Sequence, residues 1–394
     1  MSGRRALFAQ QYPAGGSVAS LIELLARLPA HGVEAIVALP TDWPVRDELE
    51  ATGARVVAFE PDRAVGPAQR DGPRRADGAP VDRSSSLRRD LRRMVSRDLP
   101  QARWLAEVMR AERVDLLHAN NDVVSNRAAL LAARRARVPA VVHIRGMHVY
   151  EGGLPLLVDR RLAAGVRQHL AISGAVADLA VEQLHLDRDR VTIVDNPFDL
   201  SDAALEPSPA LARELGVEGR RVIAMVGRIA AWKGHRVLLD AVHQLDRPDV
   251  AVLVVGEPAS TYGPVVLEQL HERVRELGLE ERVLFTGPRR DVPDIMALAD
   301  VAVHCSVEPE PFGRVIVEAM AAGVPVVASA AGGALEIVED QRTGLLVAPG
   351  DAGALAGAIA DVLDHPARAA ALGAAARSEV LARFDVDAHV EAVV

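Results

Sequence analysis

Residues 301–329 read VAVHCSVEPEPFGRVIVEAMAAGVPVVAS. The stretch opens on a short apolar run and passes through a Glu-Pro-Glu-Pro-Phe-Gly turn into a helical pattern, VIVEAMAAG. It then re-emerges after Gly323-Val324-Pro325 in a second apolar run. Both runs are apolar at nearly every position, which fits strands covered on both faces, and a helix between two such strands is the parallel βαβ unit. Working outward, the pattern repeats. In the second half the predicted strands are VIAMV (222–226), VAVLVV (250–255), VLFT (283–286), VAVHC (301–305), VPVVAS (324–329) and GLLVA (344–348). In the first half they are ALFA (6–9), VEAIVAL (33–39), RVVAF (55–59), VDLLHA (114–119), VPAVVHI (138–144), HLAIS (169–173) and VTIV (191–194). Helical spacing lies between most of them, as at Val18, Leu21, Ile22, Leu25 and Leu28. Two doubly wound α/β domains follow.

A chain of 394 residues has room for two or three domains. We expect a first domain over 1–195, a linker over 196–216 rich in Asp, Ser and Pro, and a second domain over 217–375. A helical stretch at 376–394 could cross back to the first domain. Residues 61–100 break the alternation with ten Arg and six Asp and no apolar period until about Leu91. They read as a long loop entering a helix, a solvated insertion before a binding element.

Composition removes several classes. The net charge of −9 argues against a nucleic-acid binder. One cysteine, Cys305, allows neither an internal disulfide nor a cysteine-based metal site, so a reducing compartment fits. The N-terminus does not read as a signal peptide, and the longest apolar stretch, 315–335, is interrupted by Glu318, Pro325 and glycines. A cytoplasmic protein is expected. The charge is unevenly spread: 28 basic and 25 acidic residues occupy positions 1–200, against 17 and 29 beyond. Of the 45 basic residues, 44 are Arg and one, Lys233, is Lys.

The familiar motifs fail. GRIAAWKG (227–234) has Trp232 and Gly234 around Lys233, which is not the phosphate-loop pattern. No GxGxxG follows the first strand, no GxSxG elbow occurs, and no HExxH spacing is present. Polar residues at strand ends remain, where parallel sheets bind ligands. Gly15 and Gly16 follow the first strand and precede a helix, which suits an anion or a plain tight turn. His118 and His143 lie near strand ends, a place where a histidine is more often structural than catalytic. Arg228 and Lys233 share one glycine-bounded loop and suit a diphosphate. Glu310 precedes a helix and Glu318 lies within it, eight residues on, while the amides near Gly313 offer a phosphate site. Glu318 in an apolar helix needs a partner, a ligand hydroxyl or an Arg.

Taken together PAGGS, VVHIRG, DNPFD, MVGRIAAWKG, LFTGPRRDVPDIMALADV, EPEPFGRVIVEAMAAGVPVVAS and GGALEIVEDQRTGLLVAPGD resemble the family-4 retaining glycosyltransferases. The resemblance is strongest over 222–351 and weakest over 61–100. It implies the GT-B fold, two facing Rossmann-like domains of doubly wound parallel sheet with a cleft between them. The second domain would hold a nucleotide-diphosphate sugar, the first an acceptor. Arg228 and Lys233 would neutralise the leaving diphosphate, Glu310 and the amides around Phe312 and Gly313 would hold the donor sugar, and Glu318 would bind ribose hydroxyls. Gly15 and Gly16 would let the first domain's loop approach the phosphates, His143 would contact the donor sugar, and the backbone from Gly287 to Arg289 would meet the base. No metal ion and no cofactor is implied.

The activity implied is retaining transfer of a hexosyl-type sugar to an acceptor hydroxyl in glycan, polysaccharide or natural-product biosynthesis. The acceptor is open. The positive first half favours an anionic or membrane-borne one, and with it peripheral contact at the inner face of a membrane. HCSVEPE departs from the family's commoner Pro-Ser start. An epimerase of the GT-B type, a phosphorylase and an inactive nucleotide-sugar-binding subunit compete with this reading. A phosphorylase would need a second lysine for its cofactor.

Overall fold

The computed structural model describes residues 3–12, 15–40, 43–59, 94–150, 153–200, 206–258 and 263–394. The chain divides into two units, Met1–Phe198 with Val386–Val394, and Asp199–Asp385.

The first unit is built on a seven-stranded sheet in the order β3-β2-β1-β4-β5-β6-β7. Its strands are β1 (Arg4–Ala9), β2 (Val33–Pro40), β3 (Arg55–Phe59), β4 (Leu116–Asn120), β5 (Ala140–Ile144), β6 (Gln168–Ala171) and β7 (Val191–Ile193). Every pairing is parallel. The helix Gly16–Arg27 buries Val18, Leu21 and Leu25 of the face its spacing predicts, with Leu24 in addition and Ile22 only partly buried, against Phe8 and Val37. Val390, from the helix Val386–Val393, completes that core.

The second unit holds a six-stranded parallel sheet, β10-β9-β8-β11-β12-β13. Its strands are β8 (Arg221–Val226), β9 (Val250–Val255), β10 (Val283–Gly287), β11 (Val301–His304), β12 (Val326–Ser329) and β13 (Leu345–Val347). β9 shows why the runs are unbroken. Val250, Val252 and Val254 enter one core with Leu238 and Leu239, while Ala251, Leu253 and Val255 enter another with Leu211 and Ile295. Burying each valine or leucine side chain contributes about 1.5–3 kcal/mol, so a strand with two apolar faces is committed to the middle of the sheet.

Strand order reverses between β1 and β4 in one sheet and between β8 and β11 in the other. Ligand crevices of such sheets form there, beyond the carboxyl ends of the strands.

Three stretches differ from expectation or fall outside it. Within 196–216, Pro209–Glu214 is a helix whose Ser208 Oγ accepts from Leu211 N at 3.3 Å, and Leu211 and Leu215 are buried in the second unit's core. A Ser-Pro pair is a helix start, not a linker signal, when apolar residues follow. At the C-terminus, the helix Pro366–Arg383 stays with the second unit, where Arg377 donates to the Ala321 carbonyl, and only Val386–Val393 joins the first. Of the Arg-rich segment, residues 60–93 lie outside the described residues. Among the described residues no helix is long and apolar enough to cross a membrane.

Candidate functional site

In the second unit the loops leaving β8 and β11 are stitched together at the point of strand-order reversal. Val307 N donates to the Trp232 carbonyl at 2.8 Å, and Cys305 Sγ reaches the Gly234 carbonyl at 3.2 Å. Gly234 has φ +78°, and a Cβ there would lie 1.8 Å from the Cys305 carbonyl oxygen. Only glycine allows this approach. Burial pushes the Cys305 thiol up to about 12, so it is a small core residue and not a nucleophile.

That stitching brings the lone lysine onto Glu310. Lys233 Nζ donates to Glu310 Oε1 at 2.7 Å and Oε2 at 2.6 Å, and both side chains are 12% exposed. The ammonium also lies 4.4 Å from the centroid of Trp232. Oε2 further accepts from Ser306 Oγ at 2.9 Å and meets His304 Nε2 at 3.0 Å. Burial opposes ionisation of Glu310, but the His304 hydrogen bond and the Lys233 charge outweigh it and hold the carboxyl well below the usual carboxylate range. The glutamate's backbone is pinned as well: Gly333 N donates to the Glu310 carbonyl at 2.8 Å, and a Cβ on Gly332 (φ +60°) would lie 2.2 Å from that oxygen.

Around this pair the other expected residues fall as follows. Arg228 is exposed and makes no ion pair among the described residues. Gly313 caps the helix Arg314–Ala321, and Ile316 N in its first turn donates back to the Gly313 carbonyl at 2.9 Å. Phe312 is buried against the Phe384 ring, centroids 5.7 Å apart, so only its backbone can meet a ligand. Glu318 is 36% exposed and pairs with Arg314 at 3.5 Å, which supplies the partner its apolar helix demands. Gly287 ends β10, and its carbonyl accepts from Gly256 N at 3.0 Å. The Arg289 guanidinium is occupied by Asp291, at 2.8 and 2.5 Å, and by Glu214, at 2.9 Å, so its side chain is not aimed at a base.

In the first unit Gly15 and Gly16 are exposed at the start of the helix Gly16–Arg27. His143 does not fit a sugar contact. Its ring has no exposed surface and lies between His118, tilted against it with centroids 5.5 Å apart, and His389, stacked on it at 5.9 Å. Arg145 Nη2 lies 3.2 Å from His143 Nδ1. A guanidinium only donates, so Nδ1 accepts and the ring is neutral. Burial, then the Arg145 charge, drives the His143 pKa well down. Both faces of β5 are covered, and a strand-end position cannot reveal whether a side chain points to solvent or core. Arg145 itself bridges Asn120 Oδ1 and Asn196 Oδ1, each at 2.6 Å. Sequence reasoning missed this network, and it missed His304 and Ser306. The signal for the latter pair was their position six and four residues before Glu310, His304 inside a run read as a core strand and Ser306 just after it.

Residues 209–379 match the family described as Glycosyl transferases group 1, and residues 14–202 match Glycosyltransferase Family 4. The chain is 30% identical over 403 residues to a 2-deoxystreptamine N-acetyl-D-glucosaminyltransferase of Streptomyces fradiae, covering 95% of this chain and 88% of the relative. It is 33% identical over 268 residues to a D-inositol 3-phosphate glycosyltransferase of Nocardia farcinica, covering 62% and 59%. Among solved structures, that of Anabaena Alr3699/HepE in complex with UDP and glucose superposes with a TM-score of 0.82 at 29% identity, covering 98% of this chain and 97% of that one.

Proposed function

The chain belongs to the glycosyltransferases of group 1 and family 4, with the GT-B fold, and from that premise we propose that it moves a hexosyl-type sugar from a nucleotide-diphosphate sugar to an acceptor hydroxyl with retention of anomeric configuration. The observation that carries this reading is the Lys233–Glu310 pair at the strand-order reversal of the second sheet, with Arg228 on the same loop and the Gly313 helix start beside it. Diphosphate departure builds negative charge, and fixed cations beside it lower the barrier without a metal ion. Lys233 and Arg228 are assigned that task, and the amides following Gly313 add to it. Glu310, held ionised, accepts from sugar hydroxyls. Glu318 accepts from the ribose.

No side chain is assigned as nucleophile; the departing phosphate takes the acceptor proton on the same face of the sugar. For the acceptor, relatives named for 2-deoxystreptamine and for D-inositol 3-phosphate favour a polyhydroxylated carbocycle. The test is a thermal-shift panel of UDP, GDP and ADP sugars, followed by product analysis with 2-deoxystreptamine and inositol phosphates. One donor should raise Tm and yield a product of retained configuration. A shift without product would favour the inactive nucleotide-sugar-binding subunit, and absence of a shift with every nucleotide sugar would overturn the donor-site reading itself.

A further inference from the structure

Lys233 gives two of its three N–H groups to Glu310, at 2.7 and 2.6 Å. A diphosphate that takes either of these two N–H groups must take it from the carboxylate. The carboxylate left behind is only 12% exposed, and a charge so placed is costly without partners. Two groups already meet it at Oε2: Ser306 Oγ at 2.9 Å and His304 Nε2 at 3.0 Å. Their own places are fixed by packing, since His304 is 4% and Ser306 1% exposed. His304 also pairs with Ala328 in the sheet, so its backbone has no freedom to follow a moving lysine. The second ring nitrogen of His304, Nδ1, is buried without a hydrogen-bond partner. The polar contacts of this ring thus lie on the Nε2 side, with Glu310 and Ser306 Oγ, the latter at 3.2 Å.

We propose that His304 and Ser306 are positioning residues that keep the Glu310 carboxylate in place while Lys233 turns from it to the donor's diphosphate, an inference that rests on the donor-site reading above. They lower the cost of splitting the Lys233–Glu310 pair. They therefore set diphosphate affinity although neither touches the diphosphate.

The nucleoside diphosphate bound best among UDP, GDP and ADP, together with its phosphate-free nucleoside, serves as the calorimetric probe. His304→Leu should weaken the diphosphate about tenfold and leave the nucleoside unchanged, the loss expected of one hydrogen bond to a charged group. His304→Gln, which returns an N–H within reach of Oε2, should recover to within about threefold of wild type, and Ser306→Ala should lose about threefold. In a Glu310→Gln background the His304 effect should vanish, because no carboxylate remains to be held. A purely structural histidine would not produce that coupling. Should His304→Leu fail to fold, the cycle of Ser306→Ala with Glu310→Gln decides. Wild-type diphosphate affinity in the folded variants, or an equal loss in the Glu310→Gln background, overturns the proposal. If Lys233→Ala also binds the diphosphate as wild type does, the donor-site reading itself fails.

Discussion

On the proposed donor-site reading Lys233 serves two partners of opposite kind, and its chemistry suits that better than the arginine used 44 times elsewhere in the chain. An ammonium is a compact point charge with three rotatable donors, so it can swing between a carboxylate and a phosphate about one atom. A guanidinium is planar and prefers one forked partner. With the side chain 12% exposed and Trp232 4.4 Å away, there is little room for the larger group. Lys233→Ala is expected to keep the fold and to lose about a hundredfold or more in transfer rate, the scale seen when a group stabilising transition-state charge is removed. Lys233→Arg is expected to lose at least about tenfold in kcat despite its unchanged charge. Rates of sugar transfer, with circular dichroism to confirm folding, check both. A Lys233→Arg enzyme with wild-type turnover would show that charge alone matters.

The elements that carry the site are held by glycines at backbone contacts, and this is where local sequence stops being informative. Each strand run was readable because both faces of the sheets are covered, as at β9, and because glycine and proline punctuate the connections. Which loops meet was not readable: Lys233 and Glu310 are 77 positions apart, and nothing near either names the other. His304 lies within an apolar run and Ser306 just beyond it, so neither stands out, and the sugar contact expected of His143 comes from the family resemblance, which does not tell which side chains of a covered strand are buried. Gly234 and Gly332 mark the contacts that decide the outcome. Gly234→Ala adds a methyl 1.8 Å from a carbonyl oxygen at φ +78°. We expect a loss of about 2–3 kcal/mol and a fall of about 5–10 °C in Tm. Gly332→Ala, 2.2 Å from the Glu310 carbonyl, should behave alike and also weaken donor binding. Gly219→Ala is the control, since φ is +73° but nothing lies within 4 Å of the added Cβ, and it should lose only about 1 kcal/mol. Equal Tm values for all three would mean that the loops yield without cost.

At the scale of the whole molecule, proton uptake separates the two units as their charge count also does. Among the described residues burial is seen to lower the pKa of five histidines, and four belong to the first unit: His118 falls to about 3, His169 and His389 to about 4, and His143 well below its ordinary value. At His118, His143 and His389 the Arg145 charge adds to burial. His235, also near 4, is the one such case among the described residues of the second unit. An unfolded chain binds these protons near pH 6.5, whereas the folded chain resists them until pH 4 or below. The unfolded state therefore holds more protons throughout that window, and stability falls as pH drops from about 6.5 towards 4. At pH 5 each histidine can remove at most about 2 kcal/mol, so four together approach the 5–15 kcal/mol that holds a typical domain. The first unit should thus open first on mild acidification. Hydrogen exchange at pH 7 and pH 5 should show β4, β5 and the helix Val386–Val393 losing protection while β8 and β9 keep theirs. His118→Phe, which retains a ring against Phe8 (centroids 4.9 Å apart in the parent), removes one of these protons and should move the acid midpoint to lower pH. Opening of the second unit first, or an unmoved midpoint in that variant, would mean that the buried histidines do not govern acid stability.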